Sequence, residues 1–311
     1  MKAHPASVLV ALAMLCGLGS ASAHAQTATD DMPTFRSSAD VVTIQASVRN
    51  NRGRPVRGLT LADFEVRDNG QPRPILSLRA DSRSPVSVAI LVDTSGSMGA
   101  GTSFNLARLA FDSILSQLAG TDDEAAVFTF DAALHEHRPF TSDLSRLRNA
   151  FDDLAPFGTT SLYDAAAAAA RRLADRSAAH KAIIVLTDGT DTSSSLTAPE
   201  VSGLAGSIGV PVYVIATVPS VDQRSLLETA VRSPLSQAAD LRNLAEWTGG
   251  MLLFASHATE SSIAAGRLID ELRQQYVLAV EAVASRQWRR LDVRVRGTAA
   301  VVKARSGYFG G

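Results

Sequence analysis

Three short segments carry oxygen-bearing side chains at spacings that could act together. They are Asp93-Thr94-Ser95-Gly96-Ser97, Gly158-Thr159-Thr160-Ser161 and Thr187-Asp188-Gly189. Side chains at i, i+2 and i+4 of an extended segment point to one side, so Asp93, Ser95 and Ser97 share a direction. Together with a threonine of the second segment and Asp188, they offer hard oxygen and neither nitrogen nor sulfur. Such a set suits Mg²⁺ or Mn²⁺, Ca²⁺ less well, and argues against zinc or copper.

The surrounding elements place these segments at one edge. Residues 86–92 (VSVAILV) and 181–186 (KAIIVL) are continuous apolar runs, as expected of parallel strands buried on both faces. The first run ends at Asp93 and the second at Thr187-Asp188. Further strands are expected at 124–130, 210–218 and 251–255, and helices at 104–118, 143–154, 161–174, 199–207, 241–248 and 260–275. Gly249-Gly250 stops the helix over 241–248, and residues 219–237 read as an insertion. This alternation predicts an α/β fold with a doubly wound, mostly parallel central sheet, in which ligands sit beyond the carboxyl ends of the strands. Outside it, residues 41–50 alternate apolar and polar. Residues 63–75 read as a hairpin with an Asn69-Gly70 turn, and 79–85 as a linker. Residues 276–283, 291–296 and 300–304 are again strand-like. Neither end has enough strands to bury a core, so the two are expected to pair into a small β-sandwich flanking the central sheet.

Each segment alone has a plainer reading. Asp, Ser and Thr before helices are ordinary caps, and Asp188-Gly189 could be a turn. Three such segments in order, each at a strand end or a helix start, are harder to explain that way. Gly96 to Ser103 imitates a phosphate-binding loop, but Thr102 stands where that loop needs lysine. A phosphatase of the haloacid dehalogenase class is the enzyme alternative, with Asp93 as nucleophile and Thr160, Lys181 and Asp188 or Asp191 assisting. Against it, Ser95 replaces a second aspartate. Lys181 also lies roughly 23 Å from Asp188 on a strand rising about 3.3 Å per residue. His135 and His137 read as part of a solvated loop rather than a zinc pair, since no third ligand is apparent.

The combination of Asp93-x-Ser95-x-Ser97, Gly158-x-Thr160 and Thr187-Asp188-Gly189 resembles the metal-ion-dependent adhesion site of von Willebrand factor type A domains. Leu241-x-x-Leu244-Ala245-x-x-Thr248-Gly249-Gly250 is similar to a late segment of bacterial members. The flanking β segments resemble those of an exported bacterial subgroup. The resemblance implies the metal set Asp93, Ser95, Ser97, Thr160 and Asp188, with Thr160 chosen over Thr159 because it stands four residues before Asp164. It implies hydroxyls reaching the cation directly or through water, aspartates acting mainly through water, and one position left for an Asp or Glu of a protein partner. It also implies a binding or adhesion module rather than an enzyme. A structural metal alone remains the alternative within that family. The expected division is a leader at 1–25, a β unit at 26–83, the type A domain at 84–275 and C-terminal strands at 276–311.

Composition limits the other function classes. The chain has 311 residues, 30 basic against 31 acidic, for a formal net charge of -1. No basic surface for nucleic acid follows from that balance. Lys2 and His4, the apolar run over 8–19 and Ala23-His24-Ala25 read as an export signal, with cleavage expected after Ala25. The apolar run is shorter than the ~20 residues a membrane-spanning helix needs. The protein is therefore expected in the periplasm or outside the cell. Cys16, the single cysteine, would leave with the leader.

Overall fold

The computed structural model describes residues 41–80, 84–118, 122–178, 180–219, 237–285, 287–297 and 299–309. The expected leader and most of the expected insertion at 219–237 lie outside the described residues. The strands are β1 (Val41–Asn50), β2 (Phe64–Asp68), β3 (Gln71–Arg73), β4 (Ile75–Ala80), β5 (Val86–Asp93), β6 (Glu124–Phe130) and β7 (Leu134–Thr141). They continue with β8 (His180–Thr187), β9 (Val212–Thr217), β10 (Leu252–Ala255), β11 (Gln275–Glu281), β12 (Trp288–Val295), β13 (Ala300–Ala304) and β14 (Gly307–Phe309). The helices are α1 (Ser103–Gln117), α2 (Leu162–Ala174), α3 (Ala198–Ile208), α4 (Gln237–Thr248) and α5 (Ala258–Arg273).

The central sheet has the order β10-β9-β8-β5-β6-β7, parallel except for β7. Its inner strands are apolar on both sides because both faces are covered. Val86, Val88, Ile90 and Val92 of β5 join the core under α1 and α5, whereas Ala89 and Leu91 join the core under α2, α3 and α4. The α/β class read from the sequence is the one observed.

Strands from the two ends of the described chain interleave in two four-stranded antiparallel sheets, β13-β1-β11-β4 and β14-β12-β2-β3. Both contribute to one apolar cluster that includes Ile44, Val48, Phe64, Val66, Tyr276, Leu278 and Leu291. Asn69 (φ 47°) and Gly70 (φ 80°) are both left-handed, as the tight turn between β2 and β3 requires. The small sheets are tied to the helices at two places. Ser306 N donates to Trp247 O at 2.9 Å, and buried Arg305 donates to Gly206 O near the end of α3. Burial pushes the Arg305 guanidinium down to about 10.

Three expectations need correction. Residues 143–154 are not an α-helix. A 3₁₀ turn at Leu144–Leu147 leads into successive i→i+3 turns, such as Ala150 N to Leu147 O at 3.0 Å. Those turns bring Leu147, Ala150 and Phe151 to the core at a spacing that imitates a helix. Residues 135–137 are not a loop but part of β7, antiparallel to β6 at the sheet edge. There His137 Nε2 donates to Ala150 O at 2.9 Å. The linker expected over 79–85 is shorter, because β4 continues through Ala80 and pairs with β11. Among the described residues no helix is long and apolar enough to cross a membrane.

Candidate metal centre

Asp93 is the last residue of β5, and Val92 pairs in register with Leu186 of the adjacent parallel β8. That register sets Asp93 beside Thr187. The Asp93 carboxylate is 0 % exposed. Its Oδ1 accepts from Ser95 N at 2.9 Å, and its Oδ2 accepts from Thr187 Oγ1 at 2.5 Å. Burial pushes this carboxyl up to about 6; the Thr187 and Ser95 hydrogen bonds oppose the shift, and the charge of Asp188 adds to it. Among the described residues Asp93 has no ion-pair partner. It is a buried carboxylate whose charge is only partly compensated.

Past Asp93 the chain turns through a short 3₁₀ segment, Gly96–Gly99, which brings the Ser95 and Ser97 hydroxyls to 3.1 Å from each other. Ser95 is buried and Ser97 is exposed. The second segment is bound to the first: Phe157 N donates to Thr94 O at 2.6 Å, and Gly96 N to Gly158 O at 3.0 Å. Buried Thr160 is held from both sides of its peptide. Its N–H donates to Thr192 Oγ1 at 2.9 Å, and its carbonyl accepts from Thr192 N and Ser193 N, each at 2.9 Å. In the third segment Asp188 is half-buried, and its Oδ1 accepts from Thr190 N at 3.2 Å.

Asp93 at the end of β5, and Ser95, Ser97, Thr160 and Asp188 on hydrogen-bonded loops, thus all stand at the carboxyl edge of the sheet. The donor chemistry fits a hard divalent cation: two carboxylates to balance its charge, and three hydroxyls. Among the described residues no group of three or more His, Cys, Asp or Glu gathers as a metal site. This set is consistent with that, because hydroxyls make up its majority. Lys181 is at the opposite end of β8 from Asp188, and its Nζ donates to Ala174 O at 2.9 Å. The fold does not bring it to Asp93, as a phosphatase would need.

Sequence reasoning missed the residues that hold the set in place. Thr187 is fully buried, and its hydroxyl donates to Asp93 while accepting from Gly189 N at 3.0 Å. Thr192 and Ser193 fix Thr160. Asp164 accepts from Ser195 N and Leu196 N, both at 2.9 Å, and so ties the loop after Asp188 to α2. Burial opposes ionisation of Asp164, but these bonds and that of the Ser195 hydroxyl hold its carboxyl below the usual range. The signal available was the density of hydroxyl residues over 190–197, which by itself reads as a polar loop. Thr187→Val keeps the shape and removes the donor to a buried carboxylate. It should lower stability by about 1.5–3 kcal/mol. A urea midpoint unchanged from wild type would mean that this hydrogen bond contributes nothing.

Residues 88–190 match the von Willebrand factor type A domain family. No curated protein matches the chain. Among solved structures, proximal thread matrix protein 1 from the mussel byssus, with a zinc-occupied MIDAS motif, is 19 % identical at a TM-score of 0.52; the match covers 65 % of this chain and 50 % of that one. A von Willebrand factor type A protein from Catenulispora acidiphila is 14 % identical at a TM-score of 0.48, covering 79 % and 74 %. BatB from Bacteroides thetaiotaomicron is 17 % identical at a TM-score of 0.46, covering 60 % and 98 %.

Proposed function

We propose, from the match of residues 88–190 to the von Willebrand factor type A domain family, that the chain is an exported, divalent-cation-dependent binding module for another protein. The cation would be held by Asp93, Ser95, Ser97, Thr160 and Asp188, and would take up an Asp or Glu side chain from the partner. The observation that carries this reading is the buried Asp93 carboxylate, set beside converging hydroxyls and without a positive partner among the described residues. A bound cation would supply Lewis acidity toward an outside carboxylate. The protein's own contribution is to hold two negative charges and three neutral oxygens in place while leaving one side of the cation open. With few carboxylates on the metal, its charge is not quenched, and an external acid can still bind. Export to the periplasm or beyond rests on the leader at 1–25.

Magnesium is the expected ion because every donor is oxygen. The zinc in the mussel protein makes zinc a necessary competitor in the test. Mg²⁺, Mn²⁺ and Zn²⁺ would be titrated by calorimetry into EDTA-stripped protein, beside Asp93→Ala. One saturable Mg²⁺ or Mn²⁺ site is expected, absent from the variant. At a hundred times its Kd, the ion should raise folding stability by about 2.7 kcal/mol. Binding of equal strength in wild type and Asp93→Ala would place the ion elsewhere and overturn the reading.

A further inference from the structure

Phe157 is the most exposed large apolar side chain among the described residues, at 83 %. It stands three residues before Thr160, on the loop that closes against the Asp93–Ser97 segment. Its position is not a loose one. Its N–H is bonded to Thr94 O at 2.6 Å, the next residue's carbonyl accepts from Gly96 N, and Pro156 beside it packs on Gly99. A ring held out from a fixed backbone offers apolar contact area at small entropic cost, the property of an interface anchor. The chain facing it is cut back to small residues: Gly96, Gly99, Ala100 and Gly101 are all exposed. Few side chains therefore stand over the segment that carries Ser95 and Ser97, and the Phe157 ring projects from the loop bonded to it.

The charge around this face narrows the partner further. Asp131 lies against the second segment, so that a Cβ added to Gly158 would come 3.9 Å from its Oδ2. Among the described residues, His135 Nε2 lies 3.6 Å from its Oδ1. Asp188 is half-exposed at the rim. Among the described residues, an incoming acidic run would meet the carboxylates of Asp131 and Asp188, whereas a single carboxylate gains the open metal position.

Resting on the cation-site reading above, we infer that the site takes a protein segment presenting one isolated carboxylate with a large apolar side chain close beside it, the carboxylate to the metal and the apolar group onto Phe157.

A random peptide display library selected on the Mg²⁺-loaded protein tests this, with EDTA, Phe157→Ala and Asp93→Ala as parallel arms. Selected peptides should carry one Asp or Glu, no second acid near it, and Leu, Ile, Phe or Trp within a few positions. Synthetic representatives should bind Phe157→Ala roughly tenfold to a hundredfold more weakly. Mg²⁺ binding to that variant should match wild type by calorimetry, since an exposed ring does not hold the cation. Acid-bearing peptides without an apolar neighbour, acidic runs, or unchanged binding to Phe157→Ala would overturn this inference and leave the cation site standing. Capture that survives both EDTA and Asp93→Ala would overturn the reading beneath it. A library yielding no Mg²⁺-dependent peptide would overturn both.

Discussion

Gly250→Ala is expected to prevent folding, although the change adds one methyl group at a site far in sequence from the proposed cation set. Gly249 and Gly250 end α4 in a Schellman arrangement. Gly250 N donates to Ala245 O at 2.9 Å, Gly249 N donates to Glu246 O at 3.2 Å, and Gly249 takes the left-handed conformation at φ 88°. The reversal drives the chain directly into β10, which must lie on β9. A Cβ on Gly250 would overlap the backbone carbonyl of Val212, at the start of β9. Gly249 is crowded too, because a Cβ there would lie 2.9 Å from Arg305 N. The obstacle at Gly250 is the backbone of β9, and that at Gly249 is the backbone where β13 ends; the first cannot move without breaking sheet pairing. The cost should exceed about 4 kcal/mol, the range reached only by gross overpacking or strain. That is a large share of the roughly 5–15 kcal/mol that holds an ordinary domain. Gly266→Ala is the control. It lies within α5, where the added carbon meets only the flexible end of Gln117 at 3.5 Å. That change should stabilise by about 0.5–1 kcal/mol through helix propensity. Circular dichroism and urea unfolding of the two variants decide the matter. A Gly250→Ala protein with a wild-type midpoint would mean that β9 and β10 do not approach as described.

The Gly249-Gly250 pair illustrates what a sequence can and cannot disclose. Its role as a helix stop was legible, because helix termination is local. Its role as the place where β9 and the β13–β14 connection press on the backbone was not, since those neighbours come from distant parts of the chain. The same division runs through the site. Strands β5 and β8 were readable because burial on both faces leaves uninterrupted apolar runs, and Asp93 and Asp188 follow from where those runs end. Thr187 looked like one more polar residue at a strand end. Its donation to Asp93 depends on the β5–β8 register, which no local pattern encodes. Strand β7 was lost because an edge strand carrying His135, Glu136, His137 and Arg138 shows too few apolar positions to reveal alternation. The turns after Leu144 were read as a helix for the opposite reason, since core contacts recurred at helical spacing without the helix.

Glu271 should be the most sensitive charged residue for stability, and its loss should be felt in both layers of the protein. It lies on α5 with no exposed surface and accepts from Ser47 Oγ at 2.5 Å and Arg49 Nε at 2.6 Å, both on β1. Lys303 of β13 approaches to 3.9 Å. One carboxylate thus joins the helix that covers the central sheet to two strands of a small one. Glu271→Leu removes the acceptor and leaves Arg49, only partly exposed, facing an apolar side chain. Breaking one half of a buried pair costs about 3–5 kcal/mol; Arg49 retains some solvent, so the lower end applies. Glu271→Gln keeps an acceptor and should cost less, about 1–2 kcal/mol. The pair's net worth is a separate quantity. Because desolvating both charges offsets much of their attraction, Glu271→Leu combined with Arg49→Leu should recover much of the loss. A double-mutant cycle from urea midpoints measures this coupling. Additive losses in the double variant would mean that the two residues act independently and that α5 is held to β1 by packing alone.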